Sequence, residues 1–250
     1  MLLYSVNALL TNLNMSLTTA QLQAAVMGCN FENASKRVAG VNLAIARYGI
    51  NTPLRLAHFL AQVGHESIGF SAATESLNYT ADSLINTFSR ARISAEDAQK
   101  FGRSATLSAN QVEIGNRVYG GDWGVKNLGN TEPGDGYKFR GRGPIQITGR
   151  ANYRETGKAL GLNLEAYPEQ INIGDAYALS AGYYWNSRNL NALADKDGGK
   201  WDGVDKAIFI SITRAINGGI NGWEDRQARF IHARAALGIP APLKVPAATV

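Results

Sequence analysis

Helical periodicity with matching capping signals recurs along most of this 250-residue chain, and it limits the possible folds more than any other feature. The clearest case follows Thr52, a typical N-cap residue, and Pro53, which suits a first helical position because it lacks an N–H. Apolar residues then recur at helical spacing as far as Val63. The pattern predicts a helix that begins at Pro53 and ends near Glu66.

Similar patterns predict nine further helices, at about 18–27, 34–48, 80–89, 94–101, 108–119, 150–160, 174–187, 203–216 and 222–237. Residues 120–143 hold eight glycines and one proline, which indicates a long irregular loop. Residues 145–148 alternate apolar and polar side chains and are the one candidate for a short strand. We therefore predict a mainly α fold with at most a very short β element.

The length of the chain allows one domain or two, and the lack of a linker-like segment before residue 239 favours one. With 45% hydrophobic and 18% charged residues, the chain can bury a full core without disulfides. We expect a loosely ordered leader over 1–15, a single domain over 16–238 and a flexible tail over 239–250. The leader is apolar but lacks the positively charged n-region of a signal peptide. No apolar run is long enough to predict a membrane span.

The formal net charge of +5 predicts attraction to polyanions. The 25 basic residues are spread along the chain, without a Lys/Arg run or an aromatic-interleaved basic helix. That distribution does not favour a nucleic-acid partner. An anionic cell envelope is an equally good electrostatic partner.

Several kinds of site are excluded by missing residues. His65 and Glu66 resemble the start of a zinc-protease motif, but Gly69 stands where the second histidine is needed. Residues 195–199 resemble the start of a calcium loop, but Lys206 replaces the bidentate glutamate. The chain has neither a phosphate-binding Gly-Lys-Ser/Thr motif nor the Gly-x-Ser-x-Gly of serine hydrolases. We expect no metal and no organic cofactor.

The single cysteine and two of the histidines are predicted to be structural. Cys29 follows an apolar segment, so we expect a buried thiol whose pKa is raised and whose reactivity is low. His58 and His65 lie two turns apart on one predicted helix, where packing or orienting roles are more common than metal binding.

Two glutamates remain as candidates for chemistry. Glu66 ends a strongly apolar helix, beside Val63 and Ile68, where partial desolvation would favour the protonated form that a general acid needs. Glu75 lies in a Ser/Thr/Asn-rich stretch, where a carboxylate would stay ionised and could activate water. Two carboxyl groups in such different environments suggest an acid and a base.

With these residues, the chain resembles glycoside hydrolase family 19, and most of all its phage and prophage endolysin branch. The most specific block is the Gly-Arg-Gly-Pro-Ile-Gln sequence at 141–146. The matching segments are 64–67, 74–79, 127–136, 139–153 and 215–219. The resemblance implies a lysozyme-like, two-lobed helical fold with a central substrate cleft.

The resemblance also implies an inverting mechanism. Glu66 would protonate the leaving oxygen and Glu75 would activate a water molecule, with the two carboxyl groups roughly 6.5–9.5 Å apart. Thr131 matches a position that helps to hold this water. The positions assigned to substrate binding are His65, Tyr79, Gln146, Tyr153, Asn217 and Arg226, and the last two are also thought to tune the carboxylates. Gln146 and Tyr153 would shape the cleft, and for these two a packing role in the loop is as good an interpretation as direct contact with the substrate.

These residues predict an endolysin, a lysozyme-type glycosidase that hydrolyses peptidoglycan strands in host cell lysis. We expect a monomer that does not insert into membranes and that stays in the host cytoplasm until it is released onto the cell wall. A chitinase that uses the same residues is the first alternative. A lytic transglycosylase, or a sugar-binding or nucleic-acid-binding module with a degenerate site, would also fit the sequence.

Overall fold

The computed structural model describes residues 15–240, which form two compact units. Within the described range, unit 1 comprises residues 15–70 and 181–240, and unit 2 comprises residues 71–180. The predicted leader lies outside the described residues except for Met15, and the predicted tail lies outside them except for Ile239 and Pro240. The predicted mainly α fold is confirmed.

Unit 1 is built from six helices within the described residues. A further helix, α10, begins in unit 2 and ends in unit 1. The six helices are α1 (Thr19–Ala25), α2 (Phe31–Arg47), α3 (Pro53–Glu66), α11 (Leu190–Ala194), α12 (Gly203–Asn217) and α13 (Trp223–Ala236), and α10 spans Ala176–Ser187. The apolar face of α3 packs on α12 and α13 through a cluster that includes Ala57, Phe209 and Phe230. Full burial of a phenylalanine side chain contributes about 1.5–3 kcal/mol to stability.

Unit 2 contains shorter helices around a second apolar cluster. They are α4 (Ala81–Thr87), α5 (Ala95–Phe101), α6 (Gln111–Val118), α7 (Gly121–Leu128), α8 (Asp135–Lys138) and α9 (Arg150–Leu160), followed by a 3₁₀ helix at Pro168–Asn172. Leu77, Phe88 and Ile114 are buried in the cluster, and Tyr79, Tyr119 and Tyr137 pack against it. This cluster supports the segment that carries Glu75.

The capping signals in the sequence locate several helix starts correctly. Thr52 accepts a hydrogen bond from the Arg55 N–H at 3.2 Å, and α3 begins at Pro53 and ends at Glu66 as predicted. Thr18, Thr80 and Ser94 are also N-caps, which confirms three further predicted starts. Local side-chain to backbone bonds decide these boundaries, so the sequence alone is sufficient to find them.

The predicted irregular loop over 120–143 is wrong in part, because α7 and α8 lie within it. Three of its glycines are helix caps and do not belong to a continuous loop. Gly120 and Gly134 are N-caps, and Gly129 ends α7 in the left-handed conformation with φ of 66°. Glycine is common at such ends because it has no Cβ to clash there.

The predicted strand over 145–148 does not form. Ile147 makes one isolated antiparallel bridge to Arg142, and the described residues contain no longer ladder in this segment. Gln146 has a left-handed φ of 51° and Gly143 a φ of 75°, and both values turn the chain away from an extended path. The alternation of apolar and polar residues therefore comes from a tight turn.

The predicted structural roles of Cys29 and His58 are confirmed. Cys29 is buried, and burial raises the pKa of its thiol. His58 is fully buried and its Nε2 lies 2.8 Å from Asp197 Oδ2. Burial lowers the pKa of His58, although Asp197 opposes the effect. No helix in the described range 15–240 combines the length and the apolar character needed to cross a bilayer.

Candidate active site

Glu66 is the last residue of α3 and is bound by an arginine from α13. Arg226 has no exposed surface, and its NH2 group donates to Glu66 Oε1. Its NH1 group donates to Gln62 Oε1 at 2.6 Å, and its Nε donates to the carbonyl of Asn221 at 2.9 Å. Three acceptors on different parts of unit 1 therefore fix the planar guanidinium, a fork that a lysine cannot reproduce.

The polar network continues behind the arginine. Gln62 lies one turn before Glu66 on α3, is fully buried, and donates from Nε2 to Thr213 Oγ1 at 2.8 Å. Thr213 in turn donates to the carbonyl of Phe209. The apolar surroundings predicted for the Glu66 carboxyl are therefore wrong, because a buried cation and its hydrogen-bonded supports stand there instead.

His65 forms a second polar group beside Glu66. Its Nδ1 lies 2.6 Å from Asp225 Oδ2, which also accepts from Arg229 Nε at 2.6 Å. Burial raises the pKa of the Asp225 carboxyl, but the hydrogen bonds from Arg229 and His65 outweigh this effect and the net shift is downward. The imidazole is thus oriented by a carboxylate that is itself held by a guanidinium. Its bond to Asp225 places His65 as a partly buried, oriented side chain of unit 1.

Gly222 leaves room for the imidazole of His65. A Cβ at residue 222 would lie 2.2 Å from His65 Cε1, and Gly222 has a left-handed φ of 73°. Gly222→Ala is expected to cost about 2–4 kcal/mol from backbone strain and overpacking. Thermal unfolding should show a melting temperature lower by roughly 10 °C.

Gly28→Ala is the matched control for this change. Gly28 has a similar φ of 81°, but nothing lies within 4 Å of the added Cβ. This control should lose only the backbone contribution of about 1–2 kcal/mol. Equal losses for the two variants would contradict the steric role of Gly222.

Glu75 lies in unit 2 and is held by two donors. The Tyr119 hydroxyl donates to Oε1 at 2.6 Å, and the Gly141 N–H donates to Oε2 at 3.1 Å. The Glu75 N–H donates to the carbonyl of Gly141 at 2.8 Å, so side chain and backbone are tied to the same glycine. Glu75 is therefore fixed against the Gly-Arg-Gly-Pro block that begins at Gly141.

Positive charges lie in the surroundings of Glu75. Burial lowers the pKa of Arg92 and of Arg140, and the nearby Glu75 carboxylate opposes the effect in both. Burial also raises the pKa of Tyr79 and of Tyr119, and Glu75 adds to both shifts. Glu75 is thus surrounded by neutral phenols and by cations that are partly desolvated.

Gln146 lies next to this carboxylate. A Cβ built on Gly141 would be 2.7 Å from Gln146 Oε1 and 3.3 Å from Glu75 Oε2. Gln146 Nε2 donates to the carbonyl of Gly143 at 2.9 Å, which stabilises the turn that contains its own left-handed backbone. Gly141, Gln146 and Glu75 therefore form one tightly packed group in unit 2.

Comparison with known proteins decides the family. No family model matches the chain. A glycosyl hydrolase family 19 domain-containing protein of Haemophilus influenzae is 37% identical over 199 residues, which cover 78% of this chain and 87% of that protein. The chain belongs to glycosyl hydrolase family 19. It is therefore a glycoside hydrolase by descent.

Two further similarities support the assignment of this enzyme to family 19. Chitinase 8 of rice is 35% identical over 92 residues, 33% of this chain and 35% of that protein. A crystal structure of a bacterial family 19 chitinase matches with a TM-score of 0.52 at 20% identity, over 90% of this chain and 96% of that one. The structural match supports the fold, which the sequence resemblance predicted to be lysozyme-like.

Two residues that the resemblance assigns to substrate binding in this family 19 enzyme are wholly buried. Tyr153 has no exposed surface, donates to the carbonyl of Arg140 at 2.7 Å and accepts from Arg142 at 2.9 Å. Burial raises its pKa to about 12. In this structure both side chains hold other residues: Tyr153 packs the loop through Arg140 and Arg142, and Arg226 holds Glu66.

The other predicted residues of the enzyme remain reachable by solvent. Asn217 is exposed as the last residue of α12, and Thr131 is exposed between α7 and α8. Tyr79 is partly buried and its ring lies edge-on to Phe88 at 5.5 Å. Gln146 and His65 are also partly buried. The described residues contain no cluster of three or more His, Cys, Asp or Glu side chains placed to hold a metal ion.

Sequence reasoning missed three functional candidates of the family 19 enzyme. Tyr119 and Arg92 carry no motif, and only folding brings Tyr119, 44 positions along the chain, to Glu75. Gln62 could have been noticed, because it is a polar residue on the apolar face of α3, one turn before Glu66. A buried amide on such a face needs a hydrogen-bonding partner, and that partner proves to be Arg226.

Proposed function

We propose that this family 19 enzyme hydrolyses the glycan strands of peptidoglycan, with Glu66 as general acid and Glu75 as general base. The observation that carries the proposal is that each glutamate has one carboxylate oxygen held by a strong donor. Arg226 binds Oε1 of Glu66, and Tyr119 binds Oε1 of Glu75. Glu66 belongs to unit 1 and Glu75 to unit 2.

Glu66 is suited to proton donation by its arginine. With Oε1 bound to Arg226, Oε2 is the oxygen that can carry the proton to the glycosidic oxygen. As the proton leaves, negative charge develops on Glu66, and the fixed guanidinium stabilises that charge without having to move. Arg226 therefore acts in the transition state through Glu66.

Glu75 is suited to accept a proton from water. Donors that face a carboxylate favour its charged form, and the Tyr119 hydroxyl and the Gly141 N–H are two such donors. We assign Thr131 to hold the attacking water. We assign His65, Tyr79, Gln146 and Asn217 to contact the sugar. An inverting reaction follows, because water attacks the ring face opposite to the leaving group.

The preference for peptidoglycan rests on charge and on the resemblance to endolysins. A net charge of +5 favours an anionic envelope over uncharged chitin, and this attraction should weaken with salt. We propose that the enzyme acts as a monomer on the bacterial wall after release from the host cytoplasm. Chitin hydrolysis is the second candidate, because relatives such as rice Chitinase 8 are named chitinases.

Digestion of purified peptidoglycan and of chitin by the parent protein and Glu75→Gln tests the proposal. Mass spectrometry of the products should show reducing muropeptides from peptidoglycan, and these should be lost in Glu75→Gln. Glu155→Gln is the matched control in unit 2, because Glu155 is exposed and forms a surface ion pair with Lys158 across one helical turn. It should release the same products as the parent.

Each other product pattern has a distinct meaning. Chitin oligomers together with intact peptidoglycan would establish the chitinase. Anhydro ends from a fully active Glu75→Gln protein would establish a lytic transglycosylase, in which one glutamate serves as both acid and base. Binding without products from either polymer would establish a binding module. Any of these three results would overturn the proposed peptidoglycan hydrolase.

A further inference from the structure

Tyr119 makes the closest polar contact of the Glu75 carboxylate within unit 2. Its hydroxyl lies 2.6 Å from Oε1, whereas the Gly141 N–H lies 3.1 Å from Oε2. A separation of 2.5–2.7 Å is typical of a charge-assisted O–H···O⁻ bond, which is roughly twice as strong as a neutral one. The two oxygens of Glu75 are therefore held unequally, and Oε2 has the greater capacity left to accept a proton.

The tyrosine ring itself is held in place by its surroundings. Tyr119 ends α6 as its C-cap, and the edge of its ring faces Phe88 with 6.3 Å between centroids. The guanidinium of Arg92 lies 5.3 Å from the centre of the Tyr119 ring and 4.0 Å from that of Trp123. Arg92 Nε also donates to the carbonyl of Val118 at 2.7 Å. The hydroxyl therefore has little freedom to leave Oε1.

The phenol is also kept in its protonated form. Burial raises the pKa of Tyr119, the Glu75 carboxylate raises it further, and Arg92 opposes both to a smaller extent. Tyr119 consequently remains a donor throughout the pH range in which a carboxylate base works. Loss of the phenol proton to solvent would leave a phenolate and the Glu75 carboxylate, two negative charges, side by side in one largely buried site.

We propose that Tyr119 is a positioning residue that acts through Glu75. It holds Oε1, so that Oε2 is the oxygen that takes the proton from the attacking water. In that step the water O–H bond breaks, its proton passes to Oε2, and the oxygen forms a bond to the anomeric carbon. The bond between the anomeric carbon and the glycosidic oxygen breaks, the proton of Glu66 passes to that leaving oxygen, and Tyr119 keeps its own proton. This inference rests on the proposed role of Glu75 as the base.

The test is Tyr119→Phe, assayed for kcat, KM and the pH profile of kcat/KM. The phenylalanine keeps the ring against Arg92 and Phe88 and removes only the donor. We expect kcat to fall about 10- to 100-fold, because a misplaced base loses much of its contribution. KM should stay within about threefold, and the pH profile of kcat/KM should change.

Tyr177→Phe is the matched control. The Tyr177 hydroxyl also donates at 2.6 Å within unit 2, but its acceptor is the backbone carbonyl of Ala72. Both variants should lose some thermal stability, and only Tyr119→Phe should move the pH profile. An unmoved profile with the parent kcat in Tyr119→Phe would overturn the inference.

Combining Tyr119→Phe with Glu75→Gln separates this inference from the proposed function. The residual rate of Glu75→Gln can be measured on an aryl oligosaccharide, whose good leaving group makes slow turnover visible. If Tyr119 acts only through Glu75, Tyr119→Phe should lower that residual rate by less than twofold. A further tenfold loss would assign Tyr119 a role of its own and overturn the inference while the proposed base stands. Full activity of Glu75→Gln alone would overturn both.

Discussion

Glu66→Gln is expected to lower kcat for glycan hydrolysis by about 10³-fold, within the 10²–10⁴-fold range of general acid catalysis. Glutamine preserves the size of the side chain and can still accept the hydrogen bond from Arg226. It has no proton acidic enough to transfer to a leaving sugar oxygen. Reducing-end assays on peptidoglycan, with the melting temperature measured in parallel, check the result.

An aryl oligosaccharide sharpens this prediction, because its leaving group departs without protonation. The loss in Glu66→Gln should be much smaller on that substrate than on the natural polymer. Glu32→Gln is the matched control in unit 1, because Glu32 is exposed and forms a surface ion pair with Lys36. If Glu66→Gln lost the same factor on both substrates, Glu66 would not be the proton donor.

Arg226→Lys is expected to have the largest effect on stability. The residue is fully buried and bonds to Gln62, Asn221 and Glu66, and an ammonium group on a linear stem cannot reach all three. Breaking a buried ion pair costs about 3–5 kcal/mol, because the remaining polar groups stay buried without partners. The melting temperature should fall by roughly 10 °C and kcat by at least tenfold.

Arg214→Lys is the control for Arg226→Lys. Arg214 lies in the last turn of α12, in the same unit, and is exposed. This change should alter the melting temperature by less than about 2 °C, since exposed substitutions usually change stability by less than 0.5 kcal/mol. Scanning calorimetry of both variants measures the two melting temperatures. Similar melting temperatures for the two would show that the guanidinium geometry at residue 226 is unimportant.

Local signals made much of unit 1 predictable from the sequence. Thr52 and Pro53 fix the start of α3, and the apolar spacing along it places Glu66 at its end. The same spacing shows that this face packs inside the unit, but it does not show what meets Glu66. Arg226 comes from a segment 160 positions away, and only the family resemblance indicated its connection with the carboxylates.

Unit 2 was less predictable, because its contacts depend on backbone shape. Gly141 reaches Glu75 only because it lacks a Cβ, and Gln146 adopts a left-handed conformation that its residue type does not indicate. Three glycines of the predicted loop, Gly120, Gly129 and Gly134, are caps of α7 and α8. Tyr119 lay within a predicted helix and carried no sign that its hydroxyl would meet a carboxylate.

Unit 1 consists of two segments on either side of unit 2, and this arrangement determines the order in which parts of the chain can fold. Unit 2 is one uninterrupted segment and can be completed on the ribosome, since domains generally fold as units during synthesis. Helix α3 leaves the ribosome before all of unit 2, whereas α13, which packs on α3 and supplies Arg226, follows unit 2 in the chain. Until α13 has been synthesised, Glu66 therefore lacks its guanidinium partner, and the proposed proton donor is completed only after unit 2 has emerged.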